Sequence, residues 1–235
     1  MKNPITRDDV DYALTPSPWD LGNQVLYSLC QDHPKHDRGD AVIAKVWLIG
    51  RSYAAAIERR KNAKDSSDDF YETTVVEKMK KSAVDQWLSS LPDQMTDPWR
   101  ELGQVVAVHR RLMDLFTDMT GLEKRALASK YLHFHRPDLF FIYDSRAKGA
   151  IGKVTPSIRK IARIEAEQAD HEYLTLVRRC QWIRDDIARR FNTLLTPRQV
   201  DKILLRNTDR MKKARTSGST VRATAPVTHS VGREV

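Results

Sequence analysis

The sequence predicts an all-α fold, a single multi-helix domain, and three observations carry that expectation. Apolar residues recur at the three-four spacing of a buried helix face in several long windows. A capping residue followed by Pro opens two of them, at Asp97-Pro98 and Thr196-Pro197. No window shows the convincing polar-apolar alternation of a half-buried strand. At 235 residues the chain can hold one sizeable core. The helical domain is expected over residues 18–206, in roughly eight to ten helices resembling a bundle. An irregular arm at 1–17 precedes it, and a disordered basic tail at 207–235 follows.

The lead-in carries Pro4 and Pro16 and few apolar residues, which reads as an arm. Pro18-Trp19 opens the first periodic segment, with Trp19, Val25, Leu26 and Leu29 as its expected anchors. His33-Pro34-Lys35-His36 reads as a turn, since no cysteine joins the histidines to make a metal site. From Asp40 onward Val42, Ile43, Val46, Trp47, Ile49, Tyr53, Ala54 and Ile57 share one face, so a helix is predicted through that stretch. Gly50 in its middle costs about 1 kcal/mol against Ala, which marks a place of close packing.

Residues 62–69 are polar and suit an exposed connection. A second long helix is predicted over 70–91, with Val75, Val76, Met79, Val84, Trp87 and Leu88 inward, and Pro92 stops it. The helix entered at Asp97-Pro98 places Leu102, Val105, Val106, His109, Leu112, Met113, Phe116 and Met119 on one face. His109 within that stripe is most simply a hydrogen-bonded core histidine. Gly121 suits the position just after the helix end. A third strong helix spans 170–191, with Tyr173, Leu176, Val177, Cys180, Ile183, Ile187 and Phe191 buried, and Thr196-Pro197 starts a final short one.

Forty Lys and Arg against 31 Asp and Glu leave a net charge of +9. A surplus of that size attracts polyanions by steering and counterion release, so nucleic acid is the expected partner, with DNA favoured. An acidic protein partner is the alternative. No window is apolar enough to cross a bilayer, and the first residues lack the apolar core of a secretory signal, so no membrane association and a cytoplasmic location are expected. Two cysteines, Cys30 and Cys180, do not make a disulfide framework. No phosphate-binding glycine loop, dinucleotide fingerprint, zinc-ligand spacing or nucleophile elbow occurs, and neither a cofactor nor a metal is expected.

The chain is organised around Gly121 to Ser145, GLEKRALASKYLHFHRPDLFFIYDS. A cationic helical run, Leu122 to His135, leads through Arg136-Pro137 into the apolar extended piece Leu139 to Tyr143, which delivers Asp144 in front of another helix-like stretch. Asp is a favoured N-cap, and the helix dipole helps keep it ionised. Beside a lysine such a carboxylate can serve as electrostatic partner or proton acceptor for a nucleophilic amine. His133 and His135 are two residues apart and point to different helix faces, a poor metal pair.

This layout resembles the core of the helix-hairpin-helix DNA glycosylases, in particular the 8-oxoguanine glycosylase branch. In the resemblance Gly121 stands for the hairpin glycine, Arg136-Pro137 for the break before the carboxylate, and Asp144 for the carboxylate itself. Glu123 stands where the family hairpin carries its second glycine. The family's lysine nucleophile would fall near Arg125, which cannot form a Schiff base, so the amine implied is Lys124 or Lys130. The two cysteines cannot form a four-cysteine cluster, which implies a cluster-free branch.

The resemblance implies a nucleic-acid-binding protein, an N-glycosylase or lyase acting on a flipped nucleotide, with Asp144, Lys130 and Lys124 as the catalytic candidates. Gly121, Arg125, Arg136, Arg146, Lys148, Lys153, Arg159 and Lys160 are the expected nucleic-acid contacts. Tyr131, Phe134, Phe140, Phe141 and Tyr143 are available to line a pocket, though core packing is the simpler role for most of them. The alternatives are a non-catalytic basic helical module for DNA or RNA, and a helical interaction protein for an acidic partner.

Overall fold

Capping residues and first-turn prolines open the main helices where the sequence places them. The computed structural model describes residues 4–61, 69–166 and 168–222, with side chains in the last stretch as far as Lys212. Among these residues there is no strand. The helices, in order, are α1 (Arg7–Leu14), α2 (Pro18–Asp32), α3 (Gly39–Ser52), α4 (Glu77–Lys81), α5 (Val84–Ser89), α6 (Pro98–Thr120), α7 (Arg125–His135), α8 (Ser145–Val154), α9 (His171–Phe191) and α10 (Pro197–Arg222). A π-helical stretch, Tyr71–Val76, runs into α4, and a short 3-10 turn covers Ile158–Lys160.

Asp97, Asp144 and Asp170 each accept a hydrogen bond from a first-turn N–H, those of Arg100, Arg146 and Tyr173. Gly121 ends α6 with φ at +69°, a left-handed conformation that glycine adopts without steric cost, and its N–H donates to Thr117 O at 2.7 Å.

Helix α7 lies at the centre, packed against α2, α3 and α6, while α8 packs on α9 and α10 and α1 on α10. The buried face of α3 (Val42, Val46, Ile49) meets those of α6 (Leu102, Val105, Leu112, Phe116) and α7 (Leu127, Tyr131, Leu132) in one continuous core. His109 is buried there, stacked on Tyr173 with ring centroids 3.6 Å apart and within 3.2 Å of Arg125 O. His36, expected in a plain turn, is also buried. It donates from Nδ1 to Asp85 at 2.5 Å and accepts the Tyr131 hydroxyl at 2.6 Å.

Five expectations are corrected. Residues 7–14 of the supposed arm form α1, because Ile5, Val10 and Ala13 bury against the body and buried Asp9 pairs with Arg210 at 2.6 Å. The supposed tail begins inside a helix, since α10 continues to Arg222 and its Asn207 and Thr208 are buried; residues 223–235 lie outside the described ones. Helix α3 stops at Ser52, where Ala55 N–H turns back to Gly50 O at 2.8 Å. Gly50 allows that turn, since a Cβ there would lie 3.3 Å from the Ala56 Cα. The helix predicted over 70–91 breaks at Ser82-Ala83, where the Ser82 hydroxyl accepts the Val84 N–H, and most of the polar connection at 62–69 lies outside the described residues. Trp19 and Val25, expected as anchors, are 76% and 64% exposed.

Candidate functional site

The extended piece after α7 is buried on all sides, so its backbone polar groups need partners from elsewhere. His133 Nδ1 donates to Phe140 O at 2.8 Å, the Tyr173 hydroxyl donates to Phe141 O at 2.9 Å, and Tyr143 N–H donates to Ser129 Oγ at 3.0 Å. Helices α7 and α9 therefore fix the strand-like segment that carries Asp144, and with it the direction from which the carboxylate approaches α7. One Asp144 oxygen caps α8; the other lies 4.0 Å from the Lys130 ammonium.

Lys130 is 3% exposed and donates to Tyr53 O at 3.2 Å, with its nitrogen 5.5 Å from the centre of the Tyr53 ring. Burial pulls its pKa below the ordinary lysine value, against the opposing charges of Asp144 and Asp201.

Asp144 and Tyr53 stand in the wall of a cavity of about 500 Å3. Two helices supply most of the rest. Helix α2 turns Trp19, Gly22, Asn23 and Leu26 toward it, and α10 turns Arg198, Asp201, Lys202, Leu205 and Asp209, both at the spacing of a single helix face. Tyr12, Ser17, Ser52, Ile142 and Arg146 complete the lining. Lys130 is not part of that wall; its ammonium sits behind Asp144 and Tyr53.

The wall is dense with charge. Arg198 donates to Asp201 Oδ2 at 2.5 Å, and Lys202 donates to Asp20 Oδ2 at 2.8 Å. Burial lifts Asp201 to about 6, with the Asp144 charge adding to the rise and Arg198 and Lys130 opposing it. Burial would also lift Asp20, but hydrogen bonds from Lys202 and Ser17 outweigh it and hold that group at about 2. Asp201, with its pKa raised toward neutrality, and the desolvated Lys130 amine act on each other and on Asp144 electrostatically, a set of groups suited to proton transfer.

The other expected site residues fall elsewhere. Lys124 is spent on the turn after α3, donating to Ala56 O at 3.0 Å and Arg59 O at 2.6 Å. Arg125 pairs with Asp170 through Nε and Nη2 at 2.5 and 2.7 Å, and also reaches Glu123 and Glu172. Arg136 caps the carbonyls of Leu88 and Pro92. Both arginines hold the fold together rather than face a phosphate, because each completes buried or half-buried polar groups of another element. Gly121 acts as a helix terminus packed against the Lys61 side chain.

Arg146 lines the cavity and pairs with Asp209 at 2.6 Å, and Lys148 pairs with Glu172 at 2.6 Å. Lys153 borders a second hollow between α8 and α10, of about 300 Å3, which also takes in Arg146. Lys153, Arg159 and Lys160 have no ion-pair partner among the described residues. Tyr131, Phe134, Phe140 and Phe141 are core, and the cavity's aromatic side chains are instead Tyr12, Trp19 and Tyr53. No group of three or more metal-ligating side chains gathers among the described residues. No helix among them is long and apolar enough to cross a membrane.

Asn23, Tyr53, Arg198, Asp201 and Lys202 were missed from the sequence. The one available signal was the spacing of Arg198, Asp201, Lys202 and Leu205, which puts three charges beside an apolar residue on a single face of the last helix. Comparison with protein-family models, curated proteins and solved structures finds no match. Fold and site define an all-helical protein with a buried lysine behind an aspartate that stands in the wall of a charged, aromatic-bearing cavity.

Proposed function

We propose that this chain binds nucleic acid and acts as an N-glycosylase or lyase on a nucleotide flipped into the cavity. The observation that carries the reading is the 4.0 Å approach of the Lys130 ammonium to the Asp144 carboxylate beside a cavity of about 500 Å3. That volume is within the usual range for small-ligand sites and suits one nucleoside. The resemblance of the Gly121–Ser145 segment to the glycosylase core agrees with it, as does the net charge of +9.

In the proposed reaction the neutral Lys130 nitrogen forms a bond to the sugar C1′ while the bond from C1′ to the base breaks. The electron pair leaves with the base, which takes up a proton from solvent. Asp144 offsets the positive charge developing on the sugar and accepts the proton lost by the attacking nitrogen. Burial favours the neutral amine that this step needs. The side chain must swing past Tyr53 to reach the cavity, because its ammonium lies behind the wall.

The 3% exposure of Lys130 favours a second reading, in which the pair is structural and the protein is a non-catalytic nucleic-acid-binding module. Borohydride trapping on DNA bearing abasic sites and a panel of damaged bases separates the two. The catalytic reading expects a covalent adduct with the wild type and none with Lys130→Ala. No adduct across the panel, or full trapping by Lys130→Ala, sinks it.

A further inference from the structure

Three features of the cavity wall are unexplained by the Lys130–Asp144 pair. Trp19 presents its ring to the cavity at 76% exposure, an unusual placement for so large an aromatic surface. One helical turn on, Gly22 occupies the interior of α2, where glycine is unfavourable, and a Cβ built on it meets nothing within 4 Å. Packing therefore does not require a glycine here. Its effect is to leave an open slot on the α2 face beside Trp19.

The third feature is polar. Asn23 is 7% exposed, and its Oδ1 accepts the Tyr53 hydroxyl at 2.8 Å, while its Nδ2 has no partner. Asp201 is 4% exposed, and its Oδ2 is taken by Arg198, while its Oδ1 has no partner. Residues that line the same cavity thus leave unused the Asn23 donor and the Asp201 acceptor, and also Arg198 Nε, which makes no hydrogen bond but lies 3.5 Å from Asp20 Oδ1. Buried polar atoms in native proteins are nearly always satisfied, so a pair left open beside a cavity points to a ligand that completes them.

We propose that the cavity holds the planar ring of a nucleobase by a lactam edge: the ring stacks on Trp19 over Gly22, its carbonyl accepts from Asn23 and its ring N–H donates to Asp201. This rests on the reading of the cavity as a nucleotide site. A lactam edge sets an acceptor beside a donor, the complement of a free amide N–H and a free carboxylate oxygen. The edge of adenine or cytosine sets an amino donor beside a bare ring nitrogen, which leaves the carboxylate facing a lone pair. Both free atoms are out of contact with water, so the proposed contacts require each side chain to turn toward the ring.

Calorimetric titration of the wild-type chain with inosine, adenosine and purine riboside tests the assignment. These differ at the ring edge and share the same sugar. Inosine is expected to bind at least about tenfold more tightly than purine riboside, and adenosine no more tightly than purine riboside. A Cβ at Gly22 meets nothing within 4 Å and leucine is a better helix former, so Gly22→Leu is expected to keep or raise the melting temperature and to lose inosine binding. Equal binding of inosine and adenosine, no binding of any of the three at millimolar concentration, or wild-type inosine binding by Gly22→Leu overturns the proposal. Trapping assays on the same preparations keep the two readings apart. Discrimination between nucleosides without trapping removes the Lys130 reaction and leaves the ring site, whereas trapping without discrimination does the reverse.

Discussion

Lys130 and Asp144 meet at 4.0 Å because the chain between them leaves α7 at Arg136, runs buried through Leu139 to Tyr143, and returns its carboxylate to the middle of the helix it left. Asp144 caps α8 with one oxygen and faces the amine with the other. Asn preserves the cap while removing the charge. Asp144→Asn is therefore expected to change stability by less than about 1 kcal/mol and to lower the trapping rate by roughly a hundredfold or more. Chemical denaturation and single-turnover trapping measure the two quantities, and a rate within threefold or so of the wild type counts against a catalytic Asp144.

The cations divide into two classes with opposite expected effects. Arg125→Ala strands buried Asp170, so a loss of about 3 kcal/mol or more in folding stability is expected. Lys153→Ala and Arg159→Ala remove side chains with no ion-pair partner among the described residues and should leave the melting temperature within a degree or two. Each such cation that contacts a phosphate reduces the slope of log affinity against log salt by about 0.7 to 0.9. Salt titrations of DNA binding check this, and unchanged slopes for both variants would place the phosphate surface elsewhere.

Gly103 in α6 is required by close approach. A Cβ there would fall 2.1 Å from Glu165 O, in the backbone that crosses α6 ahead of α9. Backbone cannot give way as a flexible side chain does, so Gly103→Ala should destabilise by about 1–3 kcal/mol despite the better helix propensity of Ala. Denaturant unfolding measures it, and a stabilised variant would mean that the crossing segment is free to move away.

Acid should unfold this protein early. Burial holds His36, His109 and His133 at about 4, below their ordinary 6.5. The unfolded chain takes up those protons as the pH falls through 6.5, while the folded chain takes them up near 4, so stability is complete above 6.5 and declines between the two. Asp201, raised from 3.8 to about 6, acts in the opposite sense below pH 6. Three histidines outweigh one aspartate. The melting temperature at about pH 4.5 is expected to lie well below that at about pH 7, and a flat profile across that range would show that these imidazoles are solvated.

Much of the fold was legible because helices announce their buried faces and their ends. Val42, Val46 and Ile49, Leu102 to Met119 and Tyr173 to Ile187 lie inward as their spacing requires, whereas Trp47, expected on the same face, is 45% exposed; Asp97 and Asp144 cap where they were expected to. The failures have a common cause. Trp19 and Val25 look like anchors in a list of apolar residues, and their exposure follows from the cavity and surface that α2 borders. Helix α1 looks like an arm until Asp9 finds Arg210, two hundred and one residues away.

By itself the sequence determined a helical protein, its principal helix starts, its excess positive charge, and a cap at Asp144. The tertiary structure alone decided which amine stands beside that carboxylate. Lys124 and Lys130 belong to the same short cationic run, yet one is held by carbonyls of the turn after α3 and the other by Tyr53 O and Asp144. A long side chain on a helix reveals its face but not what covers that face. Tyr53 lies 77 residues from Lys130, and no local rule of spacing or propensity reaches that far.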